Sequence, residues 1–331
     1  MSKELTPYAT PFSLTELRAY TPARIALART GASLTTRDAL DFTLAQAQAR
    51  DAVHAALSLP TLLAEIHARK LSVLSVKSAA PDRATYLRRP DLGRTLSQTS
   101  RALLASESPV STEAPRLTII LADGLSALAT DRHALPLLDA LLPLLQANQT
   151  GQNVGQSGGQ GVDKPVDKPD ETQPSGWLLT PHTLPAEAPP GLPTQKPASA
   201  SIENPTANSG WQLTPIVLAE QARVALGDEI GQALGASLTL MLLGERPGLS
   251  AADSLGAYLT WAPASGRTDA QRNCISNIRA GGLDPTAAAA RIAYYLHEAR
   301  RLSLTGTALK DPSPESLALP AANKTSAAQQ E

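Results

Sequence analysis

Arg116-Leu117-Thr118-Ile119-Ile120-Leu121-Ala122-Asp123-Gly124 is the stretch on which the fold turns. Its apolar, β-branched run stops at an Asp-Gly turn, and a helical pattern follows from about Ala127 to Leu145. The same alternation returns downstream. Trp211 to Leu218 predicts a second strand, with a helix over about 222–235. Ser237 to Leu243 predicts a third, ending in Gly244-Glu245-Arg246-Pro247-Gly248. Gly256 to Trp261 predicts a fourth, and a last long helix runs from Pro285 to Leu302. Strands alternating with helices imply an α/β domain, a parallel sheet built from right-handed crossovers, over residues 108–311.

Upstream the pattern is helical. Residues 1–12 carry two prolines and little periodicity and are expected to form a flexible N-terminus. Ser13-Leu14-Thr15-Glu16 reads as a capping box, and Thr35-Thr36-Arg37-Asp38 gives the same signal before Leu40, Leu44 and Ala47 at helical spacing. A further helix is expected over 59–70. Residues 13–107 therefore read as a small all-helical subdomain.

Residues 147–210 interrupt the α/β domain. They hold ten of the 27 prolines and are rich in Gly, Gln, Ser and Asn. Ordering a backbone costs about 1–2 kcal/mol per residue, and this composition offers little apolar area to offset it. The segment is expected to be a disordered insertion. Ser175-Gly176-Trp177-Leu178-Leu179-Thr180-Pro181 nearly copies Ser209-Gly210-Trp211-Gln212-Leu213-Thr214-Pro215. Only the second copy runs on into Ile216-Val217-Leu218, so the strand is assigned there. Residues 312–331 are small and polar and read as a disordered tail.

Composition excludes several function classes. A net charge of −1 in 331 residues gives no field for nucleic acid or a membrane surface. The most apolar stretch, Ala134 to Leu145, is short and broken by Pro136, Asp139 and Pro143, so no membrane span is expected. The N-terminus lacks the apolar core of a secretory signal. One cysteine, Cys274, cannot form an internal disulfide, which fits a reducing cytosol. The five histidines do not pair at metal-ligand spacing, and no metal site is expected.

Open parallel sheets bind ligands at the carboxyl ends of their strands. Three such ends stand out: Asp123-Gly124-Leu125-Ser126, Gly244 to Ser250, and the segment leading through Trp261-Ala262-Pro263 to Arg272-Asn273-Cys274-Ile275-Ser276-Asn277-Ile278-Arg279. Glycines admit close backbone approach, and Glu245 offers a hydrogen-bond acceptor. Gly-Glu-Arg-Pro-Gly is equally readable as an exposed tight turn. Gly155 to Gly161 follows no strand and is not GxGxxG, so no dinucleotide fingerprint is present. Cys274 has no adjacent histidine to activate it and reads as a partly buried, inert thiol.

These segments resemble the small (light) subunits of ethanolamine ammonia-lyase. The resemblance rests on Gln221 to Gly231, Gly244 to Ser250 with Asp253-Ser254-Leu255-Gly256-Ala257-Tyr258, and Arg272 to Arg279. Upstream it includes Thr21-Pro22-Ala23-Arg24-Ile25, Gln46 to His54, Arg89-Pro90-Asp91-Leu92-Gly93-Arg94, and Ala122 to Ala127. The matches are ordered and cover about 13–146 and 211–311, with the 147–210 insertion as the departure.

The resemblance implies a helical N-terminal unit beside a Rossmann-like α/β domain. It also implies the non-catalytic subunit of a carbon–nitrogen lyase that uses adenosylcobalamin in the radical conversion of ethanolamine to acetaldehyde and ammonia. The partner would be a substrate-holding large subunit, within a higher-order oligomer of large/small pairs. Val224, Glu245 and Cys274 match the cobalamin-contacting positions, with Ser126 and Arg246 expected near the same surface and no catalytic residue on this chain. Asp131-Arg132-His133 is similar to the DxHxxG of cobalt-ligating histidines, but Pro136 stands where the Gly belongs, so His133 reads as a helix-surface or packing residue. The resemblance leaves two locations open, a bacterial microcompartment or the cytoplasm; Leu14, Leu17 and Arg18 beside Pro11 form a short amphipathic candidate for targeting, or an ordinary first helix. Two rivals remain: an assembly or scaffold subunit without cofactor contact, and a stand-alone nucleotide-binding Rossmann protein.

Overall fold

Strand β4 (Arg116–Ala122) lies inside the sheet and is buried on both faces. Leu117, Ile119 and Leu121 enter one apolar cluster, while Ile120 and Ala122 enter the other. A continuous apolar run is what a strand covered on both sides requires. In the computed structural model, which describes residues 16–21, 23–107, 114–147 and 210–310, β4 pairs in parallel with β6 (Ile216–Glu220) and β7 (Leu238–Gly244). The order is β3-β6-β4-β7-β8-β9, with β3 at Val73–Lys77, β8 at Leu255–Trp261 and β9 at Arg272–Ile278. The expectations for residues 1–12, for Ser13-Leu14-Thr15, for 148–209 and for the tail from 311 lie outside the described residues.

Three expectations are corrected. The sheet is mixed: β3, β6, β4 and β7 are parallel, but β8 runs antiparallel to β7, and β9 antiparallel to β8. Residues 245–254 and 262–271 carry no α-helix, and links of that length turn a chain back more readily than they carry it across a sheet. The segment 272–278, read as a strand-end loop, is itself the edge strand. Nor are residues 13–107 all helical. Val73–Lys77 pairs in parallel with β6 from Val73↔Ile216 to Lys77↔Glu220, and β1 (Arg29–Thr30) pairs with β2 (Ser33–Leu34) as a small hairpin. β3 is short and half-exposed, so its apolar signal is weak beside the helices α1 (Thr36–His54) and α2 (Leu59–Ala68) that precede it.

The remaining elements follow the sequence closely. Thr35 caps α1, its hydroxyl accepting the Asp38 N–H at 3.2 Å. Helix α5 (Ala127–Ala147) continues through Pro136 and Pro143. The Trp211–Leu218 strand is split at Thr214-Pro215 into β5 (Gln212–Leu213), which pairs with β4, and β6. Proline has no N–H to give a ladder, so the break falls there. Trp211 is buried and meets Trp261 edge-on at 6.4 Å. Asp284 caps α7 (Pro285–Leu302) by accepting the N–H groups of Thr286 and Ala287.

Cover on the two faces is unequal. Residues of α2, α5 and α7 share one apolar cluster with β8 and β9. The other cluster is roofed by α4 (Gln98–Ser106) and α6 (Leu226–Ala233). On that face α6 packs on β7, whereas α5 and α7 serve β8 from the opposite side. A buried ion pair ties α6 to β9: Arg272 Nη2 donates to Asp228 Oδ2 at 2.5 Å, with side chains 3% and 2% exposed. Arg272 also donates to the carbonyls of Thr268 and Arg267. Burial lifts the Asp228 carboxyl to about 6, although the guanidinium pulls it down.

Removing one partner strands a buried charge. R272A or D228A is expected to cost about 3–5 kcal/mol in urea unfolding, and the paired apolar replacement R272M/D228L far less. A double variant as unstable as either single one would mean the loss comes from packing rather than from charge.

Candidate functional site

The topological switch point lies between β4 and β6, because α5 follows β4 on one face and α6 follows β6 on the other. In doubly wound sheets that crevice takes the ligand. Here the chain fills it. Asp123, 5% exposed, accepts the N–H groups of Gln221 at 2.9 Å and Ala222 at 3.1 Å. Arg83 of helix α3 (Arg83–Arg88) pairs with the same carboxylate at 3.1 Å and donates to the carbonyls of Gly124 and Val53. Burial pushes the Asp123 carboxyl up, and Arg83 and the two amides oppose that. The Tyr86 hydroxyl donates to Ala222 O at 2.8 Å. Arg83 and Arg223 lie over its ring at 4.8 and 4.5 Å. Backbone amides that would cradle a phosphate are therefore spent on Asp123, which opposes the nucleotide-binding rival.

Gly93 completes this lock. A Cβ there would stand 2.8 Å from the Tyr86 ring and 2.9 Å from the Arg223 side chain. Its carbonyl accepts the Arg223 N–H at 2.8 Å. The Arg89–Arg94 motif thus fixes the turn that presents Val224, half-buried just ahead of α6.

Glu245 emerges at the end of β7. Its Oε2 accepts from the Ser254 hydroxyl at 2.5 Å and the Asn277 N–H at 3.2 Å, and its Oε1 from the Ser276 hydroxyl at 2.6 Å. A Cβ on Gly256 would stand 3.0 Å from both Oε1 and the Tyr258 ring. Tyr258 lies opposite Cys274 in the β8–β9 register and shares its face. The Cys274 side chain is exposed, a correction to the partly buried thiol expected. Loss of water around its sulfur still pushes the thiol up; a hydrogen bond with Tyr258 pulls it down, and the Glu245 charge pushes it up again. Burial likewise raises Tyr258. Val224 and Tyr258 both pack against the apolar cluster that holds Met241 and Leu243. Glu245 and Cys274 thus stand beside Tyr258 on one face of the sheet, and Val224 packs on the apolar cluster that Tyr258 also meets.

Ser126 and Arg246 sit differently. Ser126 is fully buried; its hydroxyl donates to Ala252 O at 2.8 Å and accepts the Ala129 N–H at 3.3 Å, so it ties a loop to the start of α5. Arg246 is exposed. His133 is 9% exposed with Nε2 3.4 Å from Asp253, as a packing residue would be, and the described residues hold no cluster of metal ligands. A cleft of about 500 Å³ lies between α1 and residues 248–253 and contains none of the three expected contact residues. Sequence reasoning missed Ser254, Gly256, Tyr258, Ser276 and Asn277 as individuals, although all five lie in quoted motifs.

The family model "Ethanolamine ammonia-lyase light chain (EutC)" matches residues 12–157 and 193–310. The unmatched interior therefore shrinks to 158–192. A Bradyrhizobium diazoefficiens protein named ethanolamine ammonia-lyase small subunit is 43% identical over 91% of both chains. Proteins of the same name from Pseudomonas fluorescens Pf0-1 and Azotobacter vinelandii are 43% and 44% identical, over 89% of this chain and 86% and 87% of theirs.

The Gly93 contact predicts its own test. G93A is expected to destabilise the fold by about 1–3 kcal/mol, read as a lower thermal midpoint. An unchanged midpoint would mean that the Tyr86–Arg223 stack yields without cost.

Proposed function

Since the chain belongs to the ethanolamine ammonia-lyase light-chain family, we propose that it is the non-catalytic small subunit of an adenosylcobalamin-dependent ethanolamine ammonia-lyase. Its partner is a large subunit that holds ethanolamine, and large/small pairs assemble into a higher-order oligomer. The observation that carries this reading is the open face around Glu245, whose carboxylate is held ready by two serine hydroxyls and a backbone amide.

The residues fit a corrin. Its rim carries carboxamides, and Glu245 is an oriented acceptor for one amide N–H. A hydrogen bond to a charged acceptor contributes about 1.5–3 kcal/mol. Val224 offers an apolar contact from a turn locked by Tyr86 and Arg223, and Cys274 offers a small polarizable one. When bound, adenosylcobalamin supplies the radical chemistry that converts ethanolamine to acetaldehyde and ammonia. This chain's own part is to cover the corrin, orient it and keep water from its edge. No helix among the described residues is long and apolar enough to cross a membrane. A microcompartment or the cytoplasm is the proposed location.

The test is ammonia release from ethanolamine with adenosylcobalamin, using the large subunit with and without this chain. Activity is expected only with both. Full turnover by the large subunit alone would sink the proposal. E245A is expected to raise the adenosylcobalamin KM about 10- to 100-fold. An unchanged KM would favour the scaffold rival.

A further inference from the structure

We propose that Ser254 and Ser276 are positioning residues that fix the Glu245 carboxylate in one orientation, making it a selective acceptor for an amide at the corrin rim. This rests on the cofactor face proposed above. A carboxylate has about four acceptor positions on its two oxygens. Oε2 has two filled, by Ser254 and the Asn277 amide; Oε1 has one filled, by Ser276. The remaining position is on Oε1.

Gly256 keeps the space beside that oxygen clear, since any side chain would crowd Oε1 and the Tyr258 ring together. The three donors come from three places: the loop before β8, a side chain of β9 and a main-chain amide of β9. A carboxylate so held has lost its rotamer freedom before the ligand arrives, so binding does not have to remove it. The remaining acceptor position accepts an N–H and repels an anion. The face is therefore expected to prefer a carboxamide-fringed corrinoid over one whose rim at that point is a free carboxylate.

The experiment uses the assembled two-subunit enzyme and equilibrium dialysis with cyanocobalamin, beside adenosylcobalamin kinetics. S276A, at an exposed position, is expected to raise the cyanocobalamin Kd about three- to tenfold. The kcat at saturating adenosylcobalamin should hold. S276T keeps the hydroxyl and should restore the Kd. In an E245Q background S276A should add little, because its effect passes through the carboxylate. S254A should behave as S276A does, with a thermal melt to identify any loss of fold at that buried site. If E245Q weakens binding but S276A does not, the positioning role is overturned while the cofactor face stands. If E245Q itself leaves the Kd unchanged, the cofactor face fails as well.

Discussion

The Asp123 carboxylate is the hinge of this structure. It stands where β4 and β6 end and their helices part to opposite faces. An uncapped crevice there would leave the Gln221 and Ala222 amides turned toward a ligand. Asp123 takes both, and Arg83 neutralises it. That places a charge in a buried position, which is tolerated only with full pairing. The consequence reaches outward: Tyr86 is drawn onto Ala222, Arg223 stacks on Tyr86, and Gly93 closes over both. The turn carrying Val224 is rigid because the crevice behind it is full. A sheet of this kind has in effect exchanged its ordinary ligand crevice for a stiff rim.

The proposed cofactor face lies elsewhere. Beyond β7 the chain stops building crossovers and adds two antiparallel strands. The helices α5 and α7 cover them on one side; on the other, α6 packs on β7 and meets β9 through the Asp228–Arg272 pair at its first residue. The result is a flat, partly polar sheet surface whose side chains alternate between core and outside. Ile275 faces inward while Cys274 and Ser276 face out, and a register shift at Asn277 returns Ile278 to the core. Alternation is what an antiparallel edge with one dry face demands.

That same alternation explains what the sequence made legible. The continuous apolar runs of β4 and β7 announce strands buried on both sides, and the capped, periodic α1 and α7 announce helices. Leu255–Trp261 is legible as a strand but not in its direction, which depends on how residues 245–254 turn. Arg272–Ile278 carries Arg, two Asn, Cys and Ser, because one of its faces serves the surface and its buried Arg272 is paired rather than apolar. Local propensity cannot reveal a strand whose polar residues find partners on distant elements. β3 escapes for a related reason: its register is set wholly by β6, more than a hundred residues away.

The family resemblance implies Glu245, Val224 and Cys274 as contact residues but not what holds them. Ser254, Gly256 and Tyr258 stand at alternate positions on and beside β8, and Ser276 lies two residues past Cys274 on β9. Only the pleat, which sends every second side chain to the same face, makes one constellation of them. The motif Asp253-Ser254-Leu255-Gly256-Ala257-Tyr258 then divides by parity. Leu255 and Ala257 fill the core, whereas Ser254, Gly256 and Tyr258 hold, clear and border the Glu245 carboxylate. The first half of one strand thereby anchors the sheet with alternate residues and holds the Glu245 carboxylate with those between them.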